Sequence, residues 1–411
     1  MNFIVKKLLE ITCSSWFPKG NLVLGSANRR KILKLGLHAA SAAPVAISAM
    51  LWSANDAYAQ SARIANQASP LVIAQIVDTS ASQQDVSKDF LIGSRAAWQD
   101  INDRGGIRGR RVTHLVLETD GTPQGAQNAW QLAQSNPACL VLSGCTADPL
   151  AMQVNALAGD EKNTLAHVAP WLQNSSADLA AQTFAIFSTR EEQIAHALKS
   201  LTTLNMASLA VVFATATDRQ QNLVDIQRIA SRLKLQLQEQ VVQTNLVQAG
   251  NAITSSTAAV ILFIGGTPEL AQFIQGLDNQ SRQRYVVALA DVNLQVLQQL
   301  GSMRNTPIIA TQAVPMVNSA LPVVRNYRQV MTRLYDEPPT ALSLAGFIAA
   351  QYTFEVMQSI ELAMTRSTVL EAFQRRQSID VGGFRVAFQA QRRTSAFVTQ
   401  SMLRSDGSVL G

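Results

Sequence analysis

The stretch "NDRGGIRGRRV" (Asn102–Val112) decides how the chain is read. Its three glycines and four arginines in eleven residues suit either a phosphate or nucleic-acid grip or a turn in a scaffold. Order along the chain separates the two. A glycine-rich phosphate cradle follows a strand and opens a helix, so that the helix N-terminus meets the anion. Here a helical pattern over 89–103 precedes the glycines, and an apolar run, "VTHLVLE" (112–118), follows them. The glycines therefore read as a helix stop and a tight turn into a strand. Arg104, Arg108, Arg110 and Arg111 fit the end of a helix, where positive charge is favoured, and a solvated edge. Phosphate binding by this segment is not expected.

Charge distribution agrees. The net charge of +6 is concentrated at the start of the chain. Residues 1–59 carry Lys6, Lys7, Lys19, Arg29, Arg30, Lys31 and Lys34 against only Glu10 and Asp56, which leaves the remainder at +1. A general nucleic-acid binder is thereby excluded. The N-terminus reads as an export signal: "NRRKILK" (28–34), an apolar run from Leu35 to Trp52, then "AYAQ", with cleavage expected after Ala59. Arg29 and Arg30 resemble a twin-arginine signal, although Asn28 and Ile32 depart from its usual residues, and ordinary Sec export stays open. The mature protein is expected in the periplasm, without stable membrane insertion and as a monomer. Cys139 and Cys145 lie along one strand, roughly 20 Å apart, too far for the ~7 Å that a disulfide tolerates.

At 411 residues, 47% of them hydrophobic, the chain is long enough for two packed lobes. After a polar linker (60–69) short apolar runs alternate with helical patterns. Strands are predicted at 71–77, 112–118, 139–143, 164–169, 209–214, 259–264, 285–290 and 307–313. Most are continuously apolar, as parallel strands covered on both faces require. Helices are predicted at 89–103, 147–158, 190–203 and 218–233, and Thr122-Pro123 and Thr267-Pro268 read as N-caps followed by proline. A long helix over 341–364, a shorter one near 367–376 and a terminal hairpin turning at Asp406-Gly407 complete the pattern. The fold class is α/β, doubly wound.

Residues that build a catalytic centre do not converge. His114 and His167 fall in predicted strands and His196 on a helix, without a partner at metal-ligand spacing. Neither a nucleophile elbow nor a Walker sequence is present. No cofactor, metal or covalent chemistry is expected, and the chain is not read as an enzyme.

The order "LVIAQIVDTS…FLIGSRAAWQDINDRGGIRGRRVTHLVLETDGTPQGAQNAWQLA…ACLVLSGCTAD" resembles the leucine/isoleucine/valine-binding branch of type I periplasmic solute-binding proteins. The likeness runs from about Ser69 to the closing hairpin near "DGSVL". It implies two α/β lobes joined by three crossovers, with residues 70–187 and 316–378 in the N-terminal lobe and 188–315 and 379–411 in the other. It also implies a small-molecule ligand, an amino acid or related carboxylate or amide, held in the cleft and delivered to an ABC importer permease. The same fold feeding a signalling partner is the first alternative, and an enzyme on a doubly wound fold the second.

The resemblance also places a site. In "SGCTAD", Cys145, Thr146 and Ala147 stand where a ligand carboxylate is held, although Thr146 also suits an N-cap. In "APWLQNSS", Trp171 offers an apolar wall and Gln173 a polar contact, with packing at the lobe boundary as the other reading of the tryptophan. In the second lobe Thr215 and Asp218 face the cleft. Asp291 suits either a ligand ammonium group or a helix N-cap. The chain departs from the usual family sequence twice: "TATDRQQ" lacks the common aromatic residue, and "DTSASQQDVSKD" lacks the usual Thr-Gly.

Overall fold

The computed structural model describes residues 70–410, apart from 161, 176–177, 203–206, 243–244, 280–281, 301–305, 390–391, 394–396 and 405–408. The expected signal and linker, residues 1–69, lie outside the described residues. The apolar runs form two sheets. The first contains β1 (Leu71–Asp78), β2 (Val112–Thr119), β3 (Cys139–Ser143), β4 (Ala166–Val168) and β5 (Thr183–Phe184), all parallel, in the order β2-β1-β3-β4-β5. The second contains β6 (Ser208–Phe213), β7 (Gln236–Gln240), β8 (Val260–Ile264), β9 (Tyr285–Ala288) and β10 (Ile308–Gln312). Within it the parallel order is β7-β6-β8-β9-β10. Two short hairpins follow, β11 (Ile379–Val381) with β12 (Phe384–Val386), and β13 (Phe388–Gln389) with β14 (Arg392–Arg393). Antiparallel β15 (Thr399–Leu403) and β16 (Val409–Leu410) then extend the second sheet beyond β10. The expected turn at Asp406-Gly407 lies outside the described residues, while the strands that flank it pair.

Helices cover both sheets. They are α1 (Gln84–Asp103), α2 (Pro123–Ser135), α3 (Asp148–Ala158), α4 (Arg190–Thr202), α5 (Ala216–Arg232), α6 (Leu246–Asn251), α7 (Thr267–Leu277), α8 (Leu294–Leu300), α9 (Pro322–Leu334), α10 (Ala341–Gln358) and α11 (Arg366–Gln374). The chain moves to the second sheet after β5, returns for α9 to α11, and goes back for β15. Among the described residues no helix is long and apolar enough to cross a membrane. Val381, Phe384 and Val386 of the β11–β12 hairpin join the core that also holds β1, α1 and α10, so residues 379–386 pack with the first sheet.

Local chemistry explains the elements. Every residue of β3 and β8 is buried, as expected of strands sandwiched between helix layers. By contrast β7, "QLQEQ", is polar because it is an edge strand. Thr122 caps α2, its Oγ1 accepting the Gly125 N–H at 3.1 Å. The Thr267 expectation shifts by one residue: Gly266 is the N-cap of α7 and Thr267 its first residue. Helix α1 begins earlier than predicted, at Gln84, and Gly93 lies inside it. There α1 crosses α10 so closely that an added Cβ on Gly93 would lie 1.7 Å from Ser343 O, and one on Gly346 1.9 Å from Phe90 O. Two glycines thus set the helix separation.

The opening segment is scaffold. The Gly106 N–H donates to Ile101 O at 2.8 Å, and Gly105, Gly106, Arg108 and Gly109 all have positive φ. This is a Schellman-type stop followed by a turn closed by the Ile107–Arg110 bridge. The Arg108 guanidinium donates to the carbonyls of Ile360 and Leu362 just beyond α10. Arg366 plays the same part for α2, with its Nε to Cys139 O at 2.7 Å and its Nη2 to Ala133 O, Gln134 O and Asn136 O at 3.2, 3.0 and 2.5 Å. Charge-assisted hydrogen bonds contribute about 1.5–3 kcal/mol. Arg366→Met is therefore expected to lower stability by about 2 kcal/mol, read as a fall in the urea midpoint at unchanged slope. Arg366→Lys should recover only part of it, because an ammonium cannot span four carbonyls. A neutral methionine variant would show that these bonds are replaced by water without loss.

The strand histidines are structural. His114 Nε2 lies 2.9 Å from Gln75 Oε1, and His167 Nδ1 3.3 Å from Thr183 Oγ1. Burial pushes His114 down to about 4 and His167 to about 3, so both are neutral in the fold. Cys139 and Cys145 are free and buried.

Candidate functional site

Strand order places the cleft. In the first sheet β1 lies between β2 and β3, so the connections leaving β1 and β3 diverge to opposite faces. In the second sheet the same divergence falls between β6 and β8. Open parallel sheets bind ligands at such switch points, beyond the carboxyl ends of the strands. A cavity of about 430 Å³ lies there, lined from the first sheet by Asp85, Asp148 and Asn174 and from the second by Thr215, Asp218 and Glu269. Its volume suits a small ligand. Four helices begin at its wall: α1 through Ser82 to Val86, α3 through Asp148, α5 through Thr215 to Asp218, and α7 through Gly266 to Glu269. Apolar surface comes from Val86, Pro149, Met152, Ile264 and Leu289.

At the cavity floor Arg190 joins the two halves. Its Nη1 is 2.8 Å from Asp148 Oδ2, at the start of α3, and its Nη2 is 3.0 Å from Asp291 Oδ2, beyond β9. Burial alone would lower the guanidinium; the two carboxylates outweigh that and hold it above its ordinary range. The remaining oxygen of Asp291 accepts from Trp171 Nε1 at 2.8 Å and Gln173 Nε2 at 2.6 Å. Asp148 Oδ1 accepts the N–H groups of Gln173 and Asn174 at 2.6 and 2.9 Å. Gln193 extends the network, donating to Gln173 Oε1 and accepting from Ala290 N and Thr311 Oγ1. A second tie, from Asn293 Nδ2 to Asp89 Oδ2 at 2.9 Å, joins the segment after β9 to α1.

Three of the expected residues, Thr215, Asp218 and Asp291, line the cavity; Cys145, Thr146, Ala147, Trp171 and Gln173 do not. Thr146 is fully buried: its Oγ1 accepts the Asp78 N–H at 3.1 Å and lies 2.9 Å from Ser87 Oγ, which ties the loop after β3 to the end of β1 and to α1. Nor does it cap α3, whose N-cap is Ala147 at φ 66° with no side-chain cap. Cys145 lies in the core, and its carbonyl accepts the Trp171 N–H at 2.8 Å. Trp171 packs against Phe90 and Phe187 at ring separations of 5.9 and 5.2 Å, which favours the packing reading. Asp291 is not an N-cap: Asn293 Oδ1 accepts from Gln295 N and Val296 N at the start of α8.

Thr215 and Asp218 form a reciprocal capping box at α5. Desolvation raises the Asp218 carboxyl above the usual range, against the lowering effect of its bond to Thr215, and desolvation likewise raises Asp85. Sequence reasoning missed Arg190, Asp148, Asp85 and Glu269. The last three carried a readable signal, since each is an acid in the first turn of a helix that follows a strand.

Comparison with known proteins gives one reading of this architecture. No curated protein sequence matches the chain. Among solved structures, an extracellular ligand-binding receptor from Verminephrobacter eiseniae is 19% identical with a TM-score of 0.75, covering 84% of this chain and 100% of that one. A fatty acid ABC transporter substrate-binding protein from Thermomonospora curvata is 14% identical with a TM-score of 0.72, covering 83% and 91%. A leucine-binding protein from Thermotoga maritima is 16% identical with a TM-score of 0.70, covering 82% and 97%. These likenesses establish the fold. The model of one family, described as periplasmic binding protein, matches residues 70–403, and the chain belongs to that family.

Proposed function

We propose that this chain is an exported solute receptor that captures a small polar molecule between its lobes and presents it to the permease of an ABC importer. The observation that carries the reading is the cavity of about 430 Å³ at the switch points of both sheets, with walls from each. Two of the similar structures bear on the transport role: one is titled an ABC transporter substrate-binding protein and another a leucine-binding protein. The export signal expected in residues 1–59 suits a periplasmic receptor, and the three passages between sheets suit a hinge. The lobes in this reading comprise 70–187 with 316–388, and 188–315 with 397–411. Ligand that touches both lobes stabilises the closed arrangement by its differential affinity for it.

The test is a thermal-shift screen of the mature chain against amino acids, organic amines, carboxylates, amides and ureas, followed by calorimetry. A cognate solute at 100 times its Kd is expected to stabilise the fold by about 2.7 kcal/mol. It should compete for the cleft, so that a bulky Thr217→Trp variant at the cavity wall loses binding while retaining its melting temperature. A panel in which no small solute stabilises the protein would falsify the receptor reading.

A further inference from the structure

Among the described residues, the ionisable groups that line the cavity are Asp85, Asp148, Asp218, Glu269 and Asp291 against Arg190 alone. First-turn acids are ordinary partners of helix N-termini, so their number must be weighed against the helix ends that they face. Each helix N-terminus carries roughly half a positive charge. The four ends at this cavity therefore offset about two of the four surplus negative charges and leave about two. The guanidinium is already engaged, with Asp148 and Asp291 at 2.8 and 3.0 Å. Lys88, one turn beyond Asp85, is paired with Glu337 at 3.8 Å and is 63% exposed. Each of the four helix ends, moreover, already has the chain's own carboxylate in its first turn. A ligand carboxylate would meet occupied helix ends and a like-charged wall.

We infer that the cleft takes an organic cation, an amine or guanidinium compound without a carboxylate, held between Asp85 on one lobe and Asp218 and Glu269 on the other. The inference rests on the receptor function proposed above and on the cavity between the sheets; the acids assign only the charge of the occupant. The aliphatic part of such a ligand has Val86, Met152 and Leu289 to lie against. Carboxylates on both sides of one cation also give it contacts that exist only when the lobes are together, which is what a closing ligand requires.

Calorimetry of the mature chain with putrescine, agmatine and spermidine, beside leucine, glutamate, succinate and acetamide, tests this. Putrescine or agmatine should bind most tightly, and the affinity should fall as salt is raised. Asp85→Asn and Glu269→Gln should each weaken putrescine binding at least about fivefold, the least that a unit charge at contact distance supplies, while the melting temperature stays within a degree or so. Leucine, succinate or acetamide binding more tightly than every amine would overturn the inference and leave the receptor function standing. Amine binding that neither variant weakens would also overturn it, because the cation would then lie elsewhere. If no solute of any class binds, both readings fall.

Discussion

Replacing Arg190 with methionine is expected to lower the unfolding free energy by about 3–5 kcal/mol, the cost of leaving buried charges without their partner. The side chain is only 13% exposed, and its partners Asp148 and Asp291 are 5% and 17% exposed. Without the guanidinium two carboxylates stay buried, and their remaining bonds, to the N–H groups of Gln173 and Asn174 and to Trp171 and Gln173, do not neutralise them. Arg190→Lys should rescue little, because one ammonium group cannot reach both carboxylates in the fork geometry seen here. The decisive variant is the triple change Arg190→Met, Asp148→Asn and Asp291→Asn. It should recover most of the loss, since the penalty lies in the orphaned charges rather than in the missing attraction. Urea unfolding followed by circular dichroism measures all three. A single-variant cost below about 1 kcal/mol would mean that the pair behaves as a surface ion pair.

Gly93→Ala should destabilise by about 1–3 kcal/mol or more, although alanine is the better helix former by roughly 1 kcal/mol. The sign is set by contact. The new methyl would fall 1.7 Å from Ser343 O and 2.6 Å from its carbonyl carbon, backbone atoms that move only if α10 moves. Gly346→Ala makes the reciprocal clash with Phe90 O. The double variant should cost less than the sum of the two, because one separation of the helices relieves both. Gly159→Ala is the control: its Cβ would find Ala156 O at 3.4 Å, an ordinary contact, at a helical φ of −70°. Thermal unfolding of the four variants decides the matter, and a Gly93→Ala protein as stable as the control would show that the crossing yields freely.

Most of the architecture was legible because parallel strands with helices on both faces need uninterrupted apolar runs. Val260–Ile264, buried at every position, is such a run. The edge strand Gln236–Gln240 was not, since an edge facing water has no need of apolar residues and its glutamines read as loop. The two-residue β5 and the short α6 and α8 are held by their neighbours rather than by local pattern. The packing of the hairpin at 379–386 was not legible, because no local signal records which core Val381 and Phe384 enter. The candidate site divides similarly. Thr215 and Asp218 were reached through the family resemblance, which turns the loop after 209–214 towards the cleft, while their capping box emerged only in the structure. Arg190 was not, because its partners stand 42 and 101 positions away. For Trp171 ligand wall and packing both stayed open, and for Gln173 a polar contact was expected, since a sequence cannot show that a carboxylate elsewhere in the chain already accepts from both side chains.

The bonds that Asp291 accepts from Trp171 and Gln173 bear on how the molecule would serve as a sensor component. In the receptor reading those bonds break whenever the lobes part, so dye pairs placed one on each lobe would report clasp and ligand together. A single environment-sensitive dye at the rim of the cavity, for instance on Gln221→Cys, should report occupancy alone through the water it loses. Retuning such a receptor also becomes a local task, since first-turn residues such as Asp85 and Glu269 can be exchanged without rebuilding the clasp.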